Sequence, residues 1–302
     1  MSSIPGLRFG EFQGFPALLI ATPFSKAAIS LFGGHVLSFV PQGFDDVLWI
    51  SPTSKRPPDP IRGGIPICWP YFAKQGQPPD APQHGLVRTM QWSLTHAEQN
   101  SDGEIVLALA PPELPDVTMG LMLTMRIGRA LEQALTTVNL GAETVRFTQA
   151  LHTYFKVADA SRVTVTGLDG LTYSDKFDDF NEHQQVGDWS LFGNRDPGRS
   201  DRIYGNAGNR FGLTDSGAGA RFDLIDPAGM RKLTLATLGS KTLVVWNPGE
   251  AFIKTFADLP PDGWKHYVCL EAANCGPDII ELGVDDSHVL QQTISCSALI
   301  SH

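Results

Sequence analysis

Two short apolar runs each carry one residue able to move a proton: His152 in A-L-H-T-Y-F and Glu271 in V-C-L-E-A-A-N-C. An imidazole and a carboxylate can hold opposite protonation states near neutral pH, which is what paired acid–base chemistry on one substrate requires. Taken singly, each residue has a plainer explanation. A lone strand histidine is commonly a hydrogen-bonded structural residue, and a carboxylate ending an apolar strand is commonly solvated. A third segment, R-G-G-I-P-I-C-W-P-Y-F-A-K-Q-G-Q-P-P-D-A-P-Q-H-G-L-V-R from Arg62 to Arg88, has neither helical nor strand periodicity. Its prolines mark it as a long structured loop, and loops of that length in compact domains usually bind something. A mere linker seldom spends Trp69, Tyr71, Phe72 and His84 on solvent. The guanidinium groups at its two ends suit contact with a ligand.

Other chemistries find little support. None of the eight histidines forms an H-x-H or H-E-x-x-H pair, and His84, His152, His183 and His266 are isolated in sequence, so no metal site is expected. There is no Walker loop, no G-x-G-x-x-G after a strand and no G-x-S-x-G elbow. Cys68, Cys269, Cys275 and Cys296 lack C-x-x-C spacing and read as small buried hydrophobes. A formal net charge of −9 argues against nucleic acid, so any anionic ligand must meet a local cluster of Arg or Lys. No secretory leader or apolar membrane run is visible, and the expected home is a reducing cytoplasm, with no membrane or protein partner.

The elements that must position these residues are strands. A chain of 302 residues is long enough for one large β unit as well as for two smaller domains. Short apolar runs broken by Gly, Pro, Asn and Asp begin at Lys26, with Ala28 to Phe32, Val36 to Val40 and Val47 to Ile50 as the first candidates. From Leu121 to Ile127, Leu121, Leu123, Met125 and Ile127 alternate with Met122, Thr124 and Arg126, the mark of a strand with one face on a core. Val145 to Val157 reads as one strand, with Phe147, Gln149, Leu151, Thr153 and Phe155 on one face and His152 on the other. In the Glu271 strand, Tyr267 and Cys269 share the face of the carboxylate. Tyr173 to Gly219 is rich in Asp, Gly, Asn and Arg but holds Phe177, Phe180, Trp189, Phe192, Ile203, Tyr204 and Phe211, so an ordered excursion over one end of the sandwich is expected. With no long amphipathic helix, the fold class is all-β: a large antiparallel sandwich.

At this point the chain resembles the hexose-6-phosphate mutarotases, also called glucose-6-phosphate 1-epimerases, of the galactose mutarotase-like superfamily. The resemblance rests on ordered blocks: I-S-L-F-G-G-H-V-L-S-F, D-V-L-W-I-S, I-R-G-G-I-P-I-C-W-P-Y-F, Q-H-G-L-V-R, L-H-T-Y-F, G-L-D-G-L-T-Y-S-D-K, D-R-I-Y, V-V-W-N-P and V-C-L-E-A. It implies a supersandwich formed by residues 1–302 as one domain, with the active site on its concave face. It further implies His152 and Glu271 as the catalytic pair, Arg62, Gln83, Arg88 and Asp201 as substrate-binding residues, and no cofactor. Glu271 is then the base at the C1 hydroxyl and His152 the imidazolium acid at the ring oxygen, with the arginines on phosphate and Asp201 and Gln83 on hydroxyls. His84 becomes a supporting residue behind them, and Trp69, Tyr71 and Phe72 pins for the loop. Two departures bear on the choice of sugar: Gly249 follows W-N-P where the family often has an aromatic, and Leu86-Val87 replaces a common Phe-Ala. The rival expectations are a mutarotase for an unphosphorylated aldose and a non-catalytic carbohydrate-binding sandwich.

Overall fold

The computed structural model describes residues 4–74, 77–209, 213–214 and 217–299. Two antiparallel sheets carry most of the chain. A seven-stranded sheet runs, edge to edge, through Asn181–Gln184, Thr172–Asp175, Ser200–Tyr204, Thr242–Asn247, Tyr267–Asn274, Gln149–Lys156 and Ile67–Cys68. Facing it is a larger sheet whose central strands are Gly217–Asp226, Arg231–Leu238, Ser287–Ala298, Leu131–Asn139 and Met119–Ile127. A four-stranded antiparallel sheet from Leu7 to Pro41 adds to the same apolar core through Leu18, Ile20 and Ile29. The all-β, antiparallel sandwich expected from the sequence is the fold observed. Among the described residues, no helix is long and apolar enough to cross a membrane.

The period-two pattern works as it must when one face of a strand meets a core. Leu121, Leu123, Met125 and Ile127 are buried while Met122 and Arg126 are exposed. On the next strand Leu131, Gln133, Leu135, Thr137 and Asn139 point inward. Polar ones among them find partners: Thr137 Oγ1 accepts from Trp69 Nε1 at 3.0 Å, and Gln133 Oε1 accepts from Gln292 Nε2 on the neighbouring strand at 2.8 Å. Burying a polar side chain without a partner costs roughly 1–3 kcal/mol, so these contacts fix which residues face one another.

Several expectations are corrected. The first two strands, Leu7–Phe12 and Phe15–Ala21, precede the expected start at Lys26. Val47 to Ile50 is no strand; it makes single bridges through Leu48 to Phe155 and Ile50 to Gly63. The run from Val145 to Val157 divides at Thr148, whose N–H donates to Pro70 O and whose hydroxyl accepts from Phe72 N–H. Val145–Phe147 then pairs with Ile280–Leu282, and Gln149–Lys156 with Tyr267–Asn274.

The segment from Tyr173 to Gly219 is not simply an excursion. It inserts Ser200–Tyr204 into the interior of the seven-stranded sheet and adds Thr172–Asp175 and Asn181–Gln184 beyond it. Trp189 and Tyr204 anchor it in the core, whereas Phe180 and Phe192 are exposed; Phe211 lies outside the described residues. Buried Arg202 locks it from beneath, donating to Asp175 Oδ2 at 3.3 Å and to Gln185 Oε1 at 3.1 Å.

Gly249 has a backbone reason to differ. Asn247 is fully buried, donates to the carbonyls of Trp264 and Tyr267, and accepts from Gly249 N–H at 2.9 Å. That turn holds Gly249 at φ +67° with its α-carbon against the Gly198 carbonyl, leaving no room for a β-carbon. The turn launches the segment that presents Phe252 and Phe256 to the cavity described below. Gly249→Ala is expected to lower stability by roughly 1–3 kcal/mol, the cost of a strained non-glycine backbone. Urea denaturation of the two proteins measures it, and an unchanged midpoint contradicts this account.

Candidate active site

Four adjacent strands make the floor of a cavity of about 360 Å³. Antiparallel register sets opposite residues about 4.5–5.5 Å apart, so pairing alone decides which side chains meet. One row across the sheet reads Ile203, Val244, Glu271, His152, and the next reads Asp201, Trp246, Cys269, Tyr154. All the sequence-derived site residues, Arg62, Gln83, Arg88, His152, Asp201 and Glu271, line this one cavity.

His152 and Glu271 are direct cross-strand neighbours, with Nε2 and Oε1 3.4 Å apart. The imidazole stacks on the Tyr154 ring at 4.8 Å and meets Trp246 edge-on at 6.1 Å. As the sequence implies, it faces away from the apolar interior, where Leu151 and Phe155 are fully buried. Aromatic cover nevertheless leaves His152 only 8% and Glu271 only 1% exposed. Each keeps one buried polar atom without a partner among the described residues, Nδ1 and Oε2 respectively.

Burial governs their protonation. Desolvation, reinforced by the positive fields of Arg62 and Arg88, pulls the His152 imidazole down to about 3. Desolvation, reinforced by the Asp201 charge and opposed by Lys176, raises the Glu271 carboxyl well above its ordinary value. Burial thus favours neutral imidazole and carboxylic acid over the imidazolium and carboxylate that the resemblance implies. Both forms hold the same number of protons. They differ only in which of the two residues carries the one they share.

The loop's arginines behave differently from each other. Arg62 donates from Nε to Asp258 Oδ2 at 3.0 Å and from Nη1 to the Tyr154 hydroxyl at 3.2 Å, so its charge is compensated. Gly63 and Gly64 follow it in left-handed conformations, with the Gly63 carbonyl accepting from His35 Nε2 at 2.7 Å. Arg88 donates to the backbone carbonyl of Gln83 at 2.7 Å, and among the described residues it has no carboxylate within ion-pair distance. Burial and the neighbouring Arg62 charge both lower its affinity for its proton. Gln83 thus serves Arg88 through its main chain, while its side-chain amide lies 3.2 Å from His84 Nε2.

His84 is more than a supporting residue. Its ring lines the cavity, 5.5 Å from that of His152 and 5.4 Å from that of Phe72. Nδ1 accepts from Ala73 N–H at 3.3 Å. Trp69 does pin the loop, being almost fully buried, but Phe72 also reaches the cavity. Further wall residues were not singled out from sequence. Lys176 pairs with Asp201 at 3.0 Å, Asp258 holds Arg62, and Trp246, Phe252 and Phe256 close the aromatic side. Lys176 sits in the quoted block G-L-D-G-L-T-Y-S-D-K, so a positive residue ending a motif was the available signal. Among the described residues, no three His, Cys, Asp or Glu side chains are grouped to hold a metal.

A site of this build can bind an anion at Arg88 and Arg62, hold hydroxyls at Asp201 and move protons at His152 and Glu271. A model of the aldose 1-epimerase family matches residues 16–295. The chain is 31% identical over 262 residues to an Escherichia coli protein provisionally named a glucose-6-phosphate 1-epimerase, covering 85% of this chain and 82% of the relative. It is 30% identical over 275 residues to a Salmonella typhimurium protein of the same provisional name, covering 88% and 86%. A crystal structure of a provisionally named mutarotase from Salmonella typhimurium superposes with a TM-score of 0.83 at 27% identity, covering 99% of this chain and 95% of that one.

The buried carboxyl links stability to pH. When the chain unfolds, Glu271 ionises near its ordinary 4.5, whereas the folded state keeps its proton to higher pH. Between those two values the unfolded state binds fewer protons, so the wild type loses stability as pH rises. Glu271→Gln lacks this penalty. The variant is expected to match wild type below about pH 4 and to gain on the order of 1 kcal/mol per pH unit through the window above it. Denaturation midpoints across pH 4 to 8 measure this, and a difference independent of pH contradicts it.

Proposed function

The chain belongs to the aldose 1-epimerase family and is an isomerase, and we propose that it interconverts the α and β anomers of an aldohexose 6-phosphate such as glucose 6-phosphate. One observation carries the choice of a phosphorylated sugar. Arg88, a half-buried guanidinium with no carboxylate partner among the described residues, faces the same cavity as the His152–Glu271 pair. A buried cation without a counter-charge is costly unless a ligand supplies one. A phosphate does so with bidentate hydrogen bonds. The provisional names of the two relatives point to the same substrate class.

Anomer exchange needs little else. A base removes the proton from the C1 hydroxyl while an acid delivers one to the ring oxygen. The bond between C1 and the ring oxygen breaks, giving the open-chain aldehyde. After rotation about C1–C2, the hydroxyl attacks the other face of the carbonyl and both protons return. The sugar gains and loses no atoms, and the pair ends as it began. In the proposed assignment Glu271 serves O1 and His152 the ring oxygen. That requires the shared proton to reside on His152 when the sugar is bound. Lys176 and the half-buried Asp201 carboxylate meet the sugar hydroxyls from the opposite wall, and Trp246 offers an aromatic edge.

Two-dimensional exchange NMR on glucose 6-phosphate tests the proposal. Enzyme is expected to accelerate anomer exchange far beyond buffer, and no acceleration at concentrations sufficient for turnover contradicts it. His152→Ala or Glu271→Gln is expected to lower the rate on the order of 10²- to 10⁴-fold, the usual scale of a general acid or base. Arg88→Ala is expected to raise KM for glucose 6-phosphate far more than KM for glucose. Equal losses on both sugars argue instead for an unphosphorylated aldose.

A further inference from the structure

The cavity's charges are ordered along the sheet. On the Glu271 side, Lys176 and Asp201 neutralise each other at 3.0 Å. On the His152 side come the loop and its arginines: Arg62 bonds the Tyr154 hydroxyl, and the Tyr154 ring stacks on His152. Arg88 is held by the residue preceding His84, whose ring meets His152 edge-on. With Arg62 matched by Asp258 and Lys176 by Asp201, Arg88 is the unmatched charge of the cavity among the described residues. It lies on the side of the residue that must become positive for the proposed proton transfers. The other titratable neighbours do not offset it: His35 is buried on the Gly63 carbonyl, and His84 and Tyr154 are held neutral by burial. These charges are thus set against an imidazolium at His152.

We infer that the substrate's phosphate is an activator as well as a handle: bound at Arg88 and Arg62, an oxydianion cancels their field and lets His152 take the shared proton from Glu271. The proton passes from the carboxyl oxygen to the imidazole nitrogen, leaving carboxylate and imidazolium with net charge unchanged. The asymmetry of the site makes the effect selective, because Arg62 and Arg88 bear on His152 whereas Asp201 and Lys176 bear on Glu271. The phosphate need not be tethered to the sugar. An inorganic oxydianion added separately therefore activates the enzyme toward unphosphorylated glucose.

This inference rests on the hexose-phosphate reading above, and its test separates the two. Enzyme-dependent anomer exchange of glucose is followed by exchange NMR while sodium sulfate is titrated against sodium chloride of equal ionic strength, with glucose 6-phosphate as a parallel substrate. The expected result is a saturable rise of at least about tenfold with sulfate, the effect of one unit in the His152 midpoint, and its loss in Arg88→Met. Sulfate inhibition, or a flat response while glucose 6-phosphate is turned over, overturns the inference and leaves the function standing. Absence of turnover of glucose 6-phosphate itself overturns the function. Imidazole nitrogen shifts of His152 supply a readout that needs no sugar. In the unliganded protein Arg88→Met is expected to raise the His152 midpoint by about one unit while Arg88→Lys leaves it in place; an unmoved midpoint in Arg88→Met overturns the inference.

Discussion

The pairing of Gln149–Lys156 with Tyr267–Asn274 is the constraint on which the site depends. Register along those two strands sets His152 opposite Glu271 and Tyr154 opposite Cys269. Because strand side chains alternate with period two, a slip of one residue would send the imidazole into the apolar interior and Leu151 or Thr153 into the cavity. Interior polar contacts hold the register. Gln149 donates to Asn274 Oδ1 at 2.9 Å, and Thr153 donates to Gln292 Oε1 across the sandwich at 3.1 Å. The placement of the pair therefore comes from backbone ladders and buried amides.

That rigid placement has an energetic cost. Two ionisable groups sit where water hardly reaches, and each responds by giving up its charge. Beneath them the aromatic rings of Trp49, Tyr154, Tyr267 and Trp246 pack within 4.5 to 6.2 Å of one another, supplying apolar burial that offsets the unpaired polar atoms. A dry site strengthens every electrostatic interaction inside it, so small changes of local charge have large effects on where a proton sits. The lowered histidine and the raised carboxyl have one cause: burial that favours the neutral form of each.

Much of this was legible in the sequence, though unevenly. Alternation from Leu121 to Ile127 was unambiguous because the core face of that strand is apolar and its other face meets solvent. His152 and Glu271 stood out as titratable residues in apolar runs, and strand periodicity put both on the side away from Leu151 and Leu270. Ser200–Tyr204 was hidden because polar Asp201 and buried Arg202 interrupt any apolar pattern, even though the strand lies in the sheet interior. Arg202 is buried only because Asp175 and Gln185, 27 and 17 residues distant in sequence, receive its donors. The break at Thr148 is equally a tertiary event, made by Pro70 and Phe72 reaching in from the loop. Protonation is not legible for a related reason: residue type suggests ordinary values, and depth of burial shifts both groups toward their neutral forms.

The loop from Arg62 to Arg88 shows why recognition and chemistry are separable in this fold. Its two arginines look equivalent in sequence, yet Asp258, from a segment nearly two hundred residues away, compensates the first, while the second has no carboxylate partner among the described residues. Arg62 is thereby a fixed part of the wall, tied to Tyr154 and so to the floor beneath His152. Arg88 rides on a short 3₁₀ turn, held by Gln83 within the same loop and by the burial of Val87. Replacing that turn alters what charge the cavity accepts without touching the strand register that sets His152 against Glu271. A local turn thus places the Arg88 charge, while the strand ladder places the proposed His152–Glu271 pair.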